Sequence, residues 1–196
     1  MAKIVLAMAT THGPQLHTTV EQWALRVKAD KARKHPYRRG MHSFDELVAM
    51  RKEERLAERA SEAGMAQSHS RCQAGMSVLA AKWCEIKPDI AVILGNDQNE
   101  MFDTEELNPA FTVFCGAKIP NYLQSDERRK ELPPGIAEAE HGHATQDYTE
   151  YDGVPELGRH IIETVVARDF DVAVSTKWPR NARNGAGHAF GHIYRQ

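Results

Sequence analysis

The chain has 196 residues, of which 41% are hydrophobic and 27% are charged, and its formal net charge is −2. This composition is typical of a globular protein and excludes an intrinsically disordered chain. So small a net charge excludes a field that would recruit nucleic acid or an anionic membrane, and no apolar run is long enough to span a bilayer. We therefore expect neither a nucleic-acid nor a membrane partner.

The sequence predicts a cytoplasmic protein. The apolar stretch after Lys3 is too short, and turns polar too soon, to be a secretory signal peptide. The three cysteines, Cys72, Cys84 and Cys115, are odd in number and lack CxxC spacing. They are predicted to be reduced and mostly buried thiols, as in a reducing compartment.

The first quarter of the chain predicts a strand, a long polar connection and a helix. Residues 3–8 are an apolar run typical of a buried strand, and residues 9–43 form the connection, with a short helix near Trp23. Ser43 followed by Glu46 matches the capping box and predicts that a helix begins there.

A longer helix is predicted over residues 65–86, and Pro88 ends it. Its core face is predicted from four apolar residues at helical spacing, which are Met76, Leu79, Ala80 and Trp83. Residues 90–95 then form a second apolar run typical of a buried strand, and five polar residues follow it at 96–100.

The second half predicts two strands, a helix and a final apolar segment. The strands are expected at residues 110–115 and 171–175, and the helix between them at residues 155–168. Residues 116–152 are predicted to be irregular, because prolines and a glycine interrupt them. Residues 189–194 are interpreted as a last strand.

This order predicts a single α/β domain over residues 1–196, with a mainly parallel sheet flanked by helices. Because the chain stops directly after the last predicted strand, we expect the amino-terminal portion of a longer protein, with a sheet that is incomplete at its carboxyl end. An uncovered final strand would expose an edge that invites association, so a homo-oligomer is expected.

Polar side chains follow two of the predicted strands. His12 comes soon after residues 3–8, and it could bind a metal or act as a base, or it could be a histidine hydrogen-bonded within a loop. Asn96, Gln98 and Glu100 follow residues 90–95, and their oxygens suit a cation or a hydroxyl-bearing ligand better than a turn alone requires. Ligands bind at the carboxyl edge of open α/β sheets, so these groups are predicted to meet in one pocket.

Histidines near the end of the chain are further candidates. His188 follows Gly187, and the neighbouring glycines allow a close approach to a ligand, so the imidazole could exchange a proton or merely cap the last strand. His192 is the weaker candidate, because in a strand it would lie on the opposite face. His141 and His143 lack partners at a zinc-site spacing and are predicted to lie in a surface loop.

Three separated segments, residues 9–14, 93–102 and 187–194, resemble the class III extradiol ring-cleavage dioxygenases, and the 3-O-methylgallate branch in particular. The resemblance implies an α/β fold and a non-haem Fe(II) centre held by two histidines and a carboxylate. It further implies that a catechol, gallate or methylgallate is opened with O2. His12 matches the first iron ligand, and His188 matches a histidine close to the substrate and to oxygen.

The sequence departs from the pattern of this family at two places. Gln98 stands where the protocatechuate enzymes have a second histidine ligand, so either Gln98 or Glu100 is the expected metal ligand here. Asn96, Gln98 and His188 are the expected substrate contacts. The family's acid–base histidine and carboxylate ligand come from a stretch beyond residue 196.

Two other classes of function stay open at this point. One is a non-catalytic member of the same fold that binds a small aromatic molecule or a protein partner. The other is a metal-dependent hydrolase, although no GxSxG or HExxH motif is present.

Overall fold

The computed structural model describes residues 2–98, 100–102, 109–178 and 185–195. The chain divides into two compact units. Met1–Lys87 and Asp126–Gly142 form the first unit, and Pro88–Ser125 and His143–Arg195 form the second.

The first unit consists of helices and one short hairpin. In the part of the chain that the structure describes, its elements are α1 (Val20–Lys31), β1 (His35–Tyr37), β2 (Gly40–His42), α2 (Phe44–Met50), α3 (Leu56–Arg59), α4 (Glu62–Ile86) and α5 (Asp126–Glu131). Short 3₁₀ helices lie at Pro14–Leu16, Lys52–Glu54 and Glu138–Gly142.

Side-chain caps explain where the first two helices begin. Thr19 and Gln22 form a capping box at the start of α1. Ser43 and Glu46 form a second box at α2, where the Glu46 N–H donates to Ser43 Oγ (3.2 Å) and the Ser43 N–H donates to Glu46 Oε2 (2.7 Å). The bond from the Ser43 backbone lowers the pKa of Glu46. The helix start predicted at Ser43 is therefore confirmed.

Helix α4 confirms the predicted long helix, but not its core face. It ends at Lys87, which adopts a left-handed conformation (φ 50°) just before the proline that was predicted to stop it. Met76 is buried, whereas Trp83 is 40% exposed. The period of a helix shows which face is apolar, but it does not show what covers that face. Within the first unit, α4 contacts the segment before α1, because Thr10 Oγ1 lies 3.4 Å from Met76 Sδ.

The second unit contains two small sheets and two helices. Among its described residues the elements are β3 (Thr112–Phe114), β4 (Lys118–Asn121), β5 (Thr149–Asp152), α6 (Pro155–Val166), β6 (Ala173–Ser175) and α7 (Gly187–Tyr194). Strands β3 and β6 pair in parallel, and β4 and β5 pair antiparallel. The N–H of Cys115 extends the parallel ladder by donating to the Ser175 carbonyl (2.8 Å). The fold is therefore mixed α/β, and the predicted helix at 155–168 and the strands at 110–115 and 171–175 are confirmed.

The two apolar runs that were predicted to be buried strands are not strands in the structure. Residues 3–8 and 90–95 have no strand assignment, and Ile4 and Leu94 are 88% and 92% exposed. An apolar run favours an extended backbone, but a strand forms only where a neighbour completes the hydrogen-bond ladder. Neither run has a ladder partner among the described residues, so both predictions are wrong.

Two further predictions are corrected in the second half of the chain. Residues 116–152 are not irregular, because they contain β4, α5 and β5. Residues 189–194 belong to helix α7, not to a strand. In so short an apolar run, the helical period of about 3.6 residues cannot be told from the strand period of about two residues. The argument for association through an exposed final strand therefore loses its basis, and the homo-oligomer stays a prediction.

The cysteines are free thiols, as predicted, but only one of them is buried. Cys115 is buried, whereas Cys72 and Cys84 lie exposed on α4. Within the described residues, no helix combines the length and the apolar character needed to cross a membrane.

The end of α7 gives the second unit a pH dependence. The Tyr194 ring stacks on Tyr151, with ring centroids 4.0 Å apart and planes 8° apart. Burial, and secondarily the neighbouring Tyr151, raises the pKa of Tyr194 above its ordinary value of 10.0. The folded state thus favours the neutral phenol, so this contribution to stability is complete below pH 10.0 and is lost as the pH rises through the folded-state pKa.

We therefore expect the free energy of unfolding of the second unit to fall above about pH 10, measured by denaturant unfolding followed by near-ultraviolet circular dichroism. Tyr194→Phe keeps the stacked ring and removes the ionisable group, so it should flatten this decline. An equal decline in Tyr194→Phe would contradict the assignment.

Candidate functional site

One carboxylate organises the turn that follows residues 90–95. Asp97 Oδ1 accepts the backbone N–H groups of Glu100 (3.2 Å) and Met101 (3.0 Å), and its Oδ2 accepts that of Phe102 (3.2 Å). Three bonds to one side chain fix the backbone at this point, as an aspartate that starts a turn commonly does. The polar cluster is therefore in part a turn, and that turn presents Glu100.

Glu100 contacts His188 through both its ring and its backbone. The distance from Glu100 Oε2 to His188 Nδ1 is 2.6 Å, and the His188 N–H faces Oε1 at 3.1 Å and Oε2 at 3.3 Å. The two side chains are 16% and 18% exposed, so water has limited access to the pair. Glu100 thereby also satisfies an N–H in the first turn of α7, where a negative charge is favourable.

This contact gives the His188 ring a defined chemistry. A carboxylate only accepts hydrogen bonds, so the nitrogen that faces it, Nδ1, carries the proton. The neutral ring then has its lone pair on Nε2, the nitrogen that can accept a proton from a bound molecule. Glu100 also stabilises the positive charge that forms when Nε2 is protonated, as in other carboxylate–histidine pairs. The pair is therefore suited to general acid–base chemistry.

A second histidine lies beside this pair and was missed in the sequence. His143 is buried (8% exposed), and its ring meets the His188 ring edge to face, with centroids 5.9 Å apart and planes at 64°. The prediction of a surface loop is wrong for His143, whereas His141 is exposed in the first unit. No local spacing signals the contact, because only tertiary packing brings positions 143 and 188 together.

Two glycines let helix α7 approach these groups closely. Gly187 has φ +58°, and a Cβ there would lie 3.3 Å from Glu100 Oε2. A Cβ at Gly191 would lie only 2.3 Å from the carbonyl oxygen of His143, closer than a real side chain can come. The glycines noted in the sequence beside His188 therefore serve the packing of this site.

We expect Gly187→Ala to destabilise the second unit by about 1–2 kcal/mol, because alanine is strained at positive φ and crowds Glu100. Denaturant unfolding measures the change. Gly75→Ala is the matched control, because a Cβ at this position of α4 meets nothing within 4 Å. That variant should gain about 0.5 kcal/mol from helix propensity. Equal effects of the two substitutions would contradict the assigned strain.

The other predicted site residues are located as follows. His12 is half-buried in the first unit, just before the 3₁₀ helix Pro14–Leu16, while Glu100 and His188 belong to the second unit. The meeting of His12 with the 96–100 cluster stays a prediction. Asn96 and Gln98 are exposed, and Asn99 lies outside the described residues. His192, judged the weaker candidate, is almost fully buried in α7 (1% exposed).

The described residues do not by themselves fit a complete iron centre. Across these residues, no three or more His, Cys, Asp or Glu side chains group closely enough to hold a metal ion. In the second unit the carboxylate of Glu100 is engaged by His188, and the amide of Gln98 is exposed. Fe(II), with His12 and either Gln98 or Glu100 as ligands, stays a prediction, and no iron-dependent step is assigned to these residues.

Comparison with models of known protein families gave no match, and comparisons with curated proteins and with solved structures gave no significant match either. Any functional assignment therefore depends on the residues themselves and on the resemblance of the three segments.

Proposed function

We propose that this chain is part of an Fe(II)-dependent extradiol dioxygenase that opens a catechol, gallate or methylgallate ring with O2, and that His188 and Glu100 take part in its proton transfer beside the acid–base histidine that the resemblance implies beyond residue 196. The observation that supports the proposal is the contact between Glu100 and His188. Both residues lie in segments that carry the resemblance, and they are 88 positions apart in the sequence. A carboxylate–imidazole pair is one arrangement that can act as the general base for a phenol.

In the proposed reaction His188 acts on the hydroxyl protons of the aromatic diol. Its Nε2 accepts a proton from one ring hydroxyl, and Glu100 stabilises the resulting imidazolium through Nδ1. The same imidazolium later returns the proton to an oxygen of the opened product. The resemblance attributes activation of O2 to Fe(II), and none of these roles passes through the metal.

The proposed enzyme is a cytoplasmic homo-oligomer built on a mainly parallel sheet flanked by helices. The parallel pairing of β3 with β6 supports this fold, because the connection between them contains α6, although β4, α5 and β5 precede that helix.

Oxygen consumption tests the proposal directly. The full-length protein, with the stretch that the resemblance implies beyond residue 196, is loaded with Fe(II) under anaerobic conditions, mixed with catechol, gallate or 3-O-methylgallate, and then exposed to O2. We expect O2 uptake with at least one substrate and a matching amount of coloured ring-opened product. The same protein loaded with Zn(II) is the control and should consume none. No uptake with any of the three substrates would contradict the proposed function.

Iron content tests the predicted ligand in the first unit. Full-length protein that has been loaded anaerobically and desalted should retain iron, and His12→Ala should lose it. His160→Ala is the control, because His160 is exposed on α6. A folded protein that retains no iron but binds one of the aromatic molecules would instead support the non-catalytic alternative.

A further inference from the structure

His143 is joined to its surroundings on two sides, and neither contact depends on the chemistry proposed above. Its carbonyl oxygen accepts the Nδ2 hydrogen bond of Asn121 (2.9 Å), and Asn121 is 1% exposed at the end of β4. Its ring faces His188 on the first turn of α7. The residue therefore links the end of β4 to the helix that carries His188.

The backbone around His143 is fixed by a short network at the end of β4. Thr145 Oγ1 donates to the Asn121 carbonyl (2.7 Å), and the Leu123 N–H donates to the Thr145 carbonyl (2.9 Å). Asn121 also forms an antiparallel bridge with Gly185, two residues before α7 begins. Buried hydrogen bonds of this kind hold a segment in one conformation, because breaking any of them leaves an unsatisfied group.

Helix α7 contacts residue 143 at two points on the same helix face. His188 meets its ring, and Gly191 approaches its carbonyl so closely that a Cβ would lie 2.3 Å away. Positions three apart lie on the same side of a helix, so the two contacts together set the rotation and height of α7. The approach of Gly191 to the His143 carbonyl fixes the position of helix α7. The contact between the two histidine rings then bears on the orientation of the His188 ring.

We propose that His143 is a positioning residue whose ring, in edge-to-face contact with His188, holds that imidazole so that Nδ1 faces Glu100. Edge-to-face contact adds to the contact with Glu100 in restraining rotation of the His188 ring about its χ2 angle. The orientation of the His188 ring is inferred from its contacts with His143 and Glu100. Only the catalytic consequence of that orientation depends on the proposed function. Phenylalanine at position 143 should preserve the effect, because it keeps an aromatic edge at the same place.

Nuclear magnetic resonance of the full chain labelled with ¹⁵N-histidine tests the orientation without any activity. The His188 ring signals are identified by their loss in His188→Gln. In the wild type and in His143→Phe we expect the pattern of a ring protonated on Nδ1. In His143→Ala this pattern should give way to an average of both tautomers, and His160→Ala should leave it unchanged.

Kinetics supply the second measurement. We expect kcat for ring opening to fall about tenfold in His143→Ala, with KM little changed, and to recover in His143→Phe. If His143→Ala does not fold, His143→Leu replaces it, because leucine fills the site without an aromatic edge. The proposal is overturned if the alanine or leucine variant keeps the wild-type His188 signals, or if phenylalanine fails to restore them.

These measurements separate the two proposals. If the wild type consumes no O2, the proposed function fails, and the His188 signals still decide the role of His143. If the wild type is active and the His188 signals do not respond to position 143, the positioning role fails and the proposed function stands.

Discussion

In the proposed reaction, replacing His188 with glutamine is expected to lower kcat for ring opening by about 100- to 10,000-fold. Glutamine retains a polar side chain of similar reach, but its amide cannot take up a proton in the way that Nε2 can. The half-buried position beside Glu100 makes replacement of the imidazole by water inefficient. The measurement is the rate of O2 uptake at saturating substrate, with the fold checked by circular dichroism.

Two matched variants determine whether the loss belongs to the pair. Glu100→Gln should lower kcat by about 10- to 100-fold, because an amide no longer dictates which ring nitrogen carries the proton. His160→Gln and Glu163→Gln change the same residue types at exposed positions of α6 and should retain wild-type rates. An active His188→Gln enzyme would remove His188 from the chemistry.

The first unit is expected to lose about 3 kcal/mol of unfolding free energy in Glu140→Ala. Glu140 is 2% exposed, and its Oε2 lies 3.0 Å from Nε of Arg129, which is 24% exposed. A second bond ties the same guanidinium to the backbone, because Arg129 Nη2 donates to the Ala137 carbonyl (3.2 Å). Removing Glu140 leaves the largely buried guanidinium of Arg129 with the more distant and exposed carboxylate of Asp126 (3.7 Å) as a counter-charge.

Denaturant unfolding monitored by far-ultraviolet circular dichroism measures this loss. Glu131→Ala is the control, because Glu131 is exposed at the end of α5, and its effect should stay within about 0.5 kcal/mol. The double variant Arg129→Met with Glu140→Leu should recover most of the stability, since it removes both charges together. A loss no larger than that of the control would show that the ion pair contributes little.

Signals that act within a few residues predicted the structure well. The capping box at Ser43, the stop before Pro88 and the start of α6 at Pro155 all depend on neighbours in the sequence. These features are encoded by one side chain and the backbone close to it. They could therefore be recognised without knowing the rest of the fold.

Features that depend on distant partners were predicted poorly. The runs at residues 3–8 and 90–95 have strand-like composition, but a strand also needs a neighbour, which composition does not supply. In the candidate site, too, local features were predicted and contacts between distant residues were not. Glu100 and His188 were identified as individual candidates, while their contact across 88 positions and the part played by His143 followed only from the packing of α7.

Asp97 holds the backbone of the turn after residues 90–95, so the shape of this loop and the chemistry of its other side chains are set by different residues. The aspartate accepts hydrogen bonds from three backbone N–H groups, those of Glu100, Met101 and Phe102, and none of these three bonds involves the side chain at position 98. A histidine or a glutamine at this exposed position is therefore accommodated by the same backbone. Under the proposed function, the side chain at position 98 could change by mutation while Glu100 and His188 keep their contact, so this loop could vary its ligands without losing the pair.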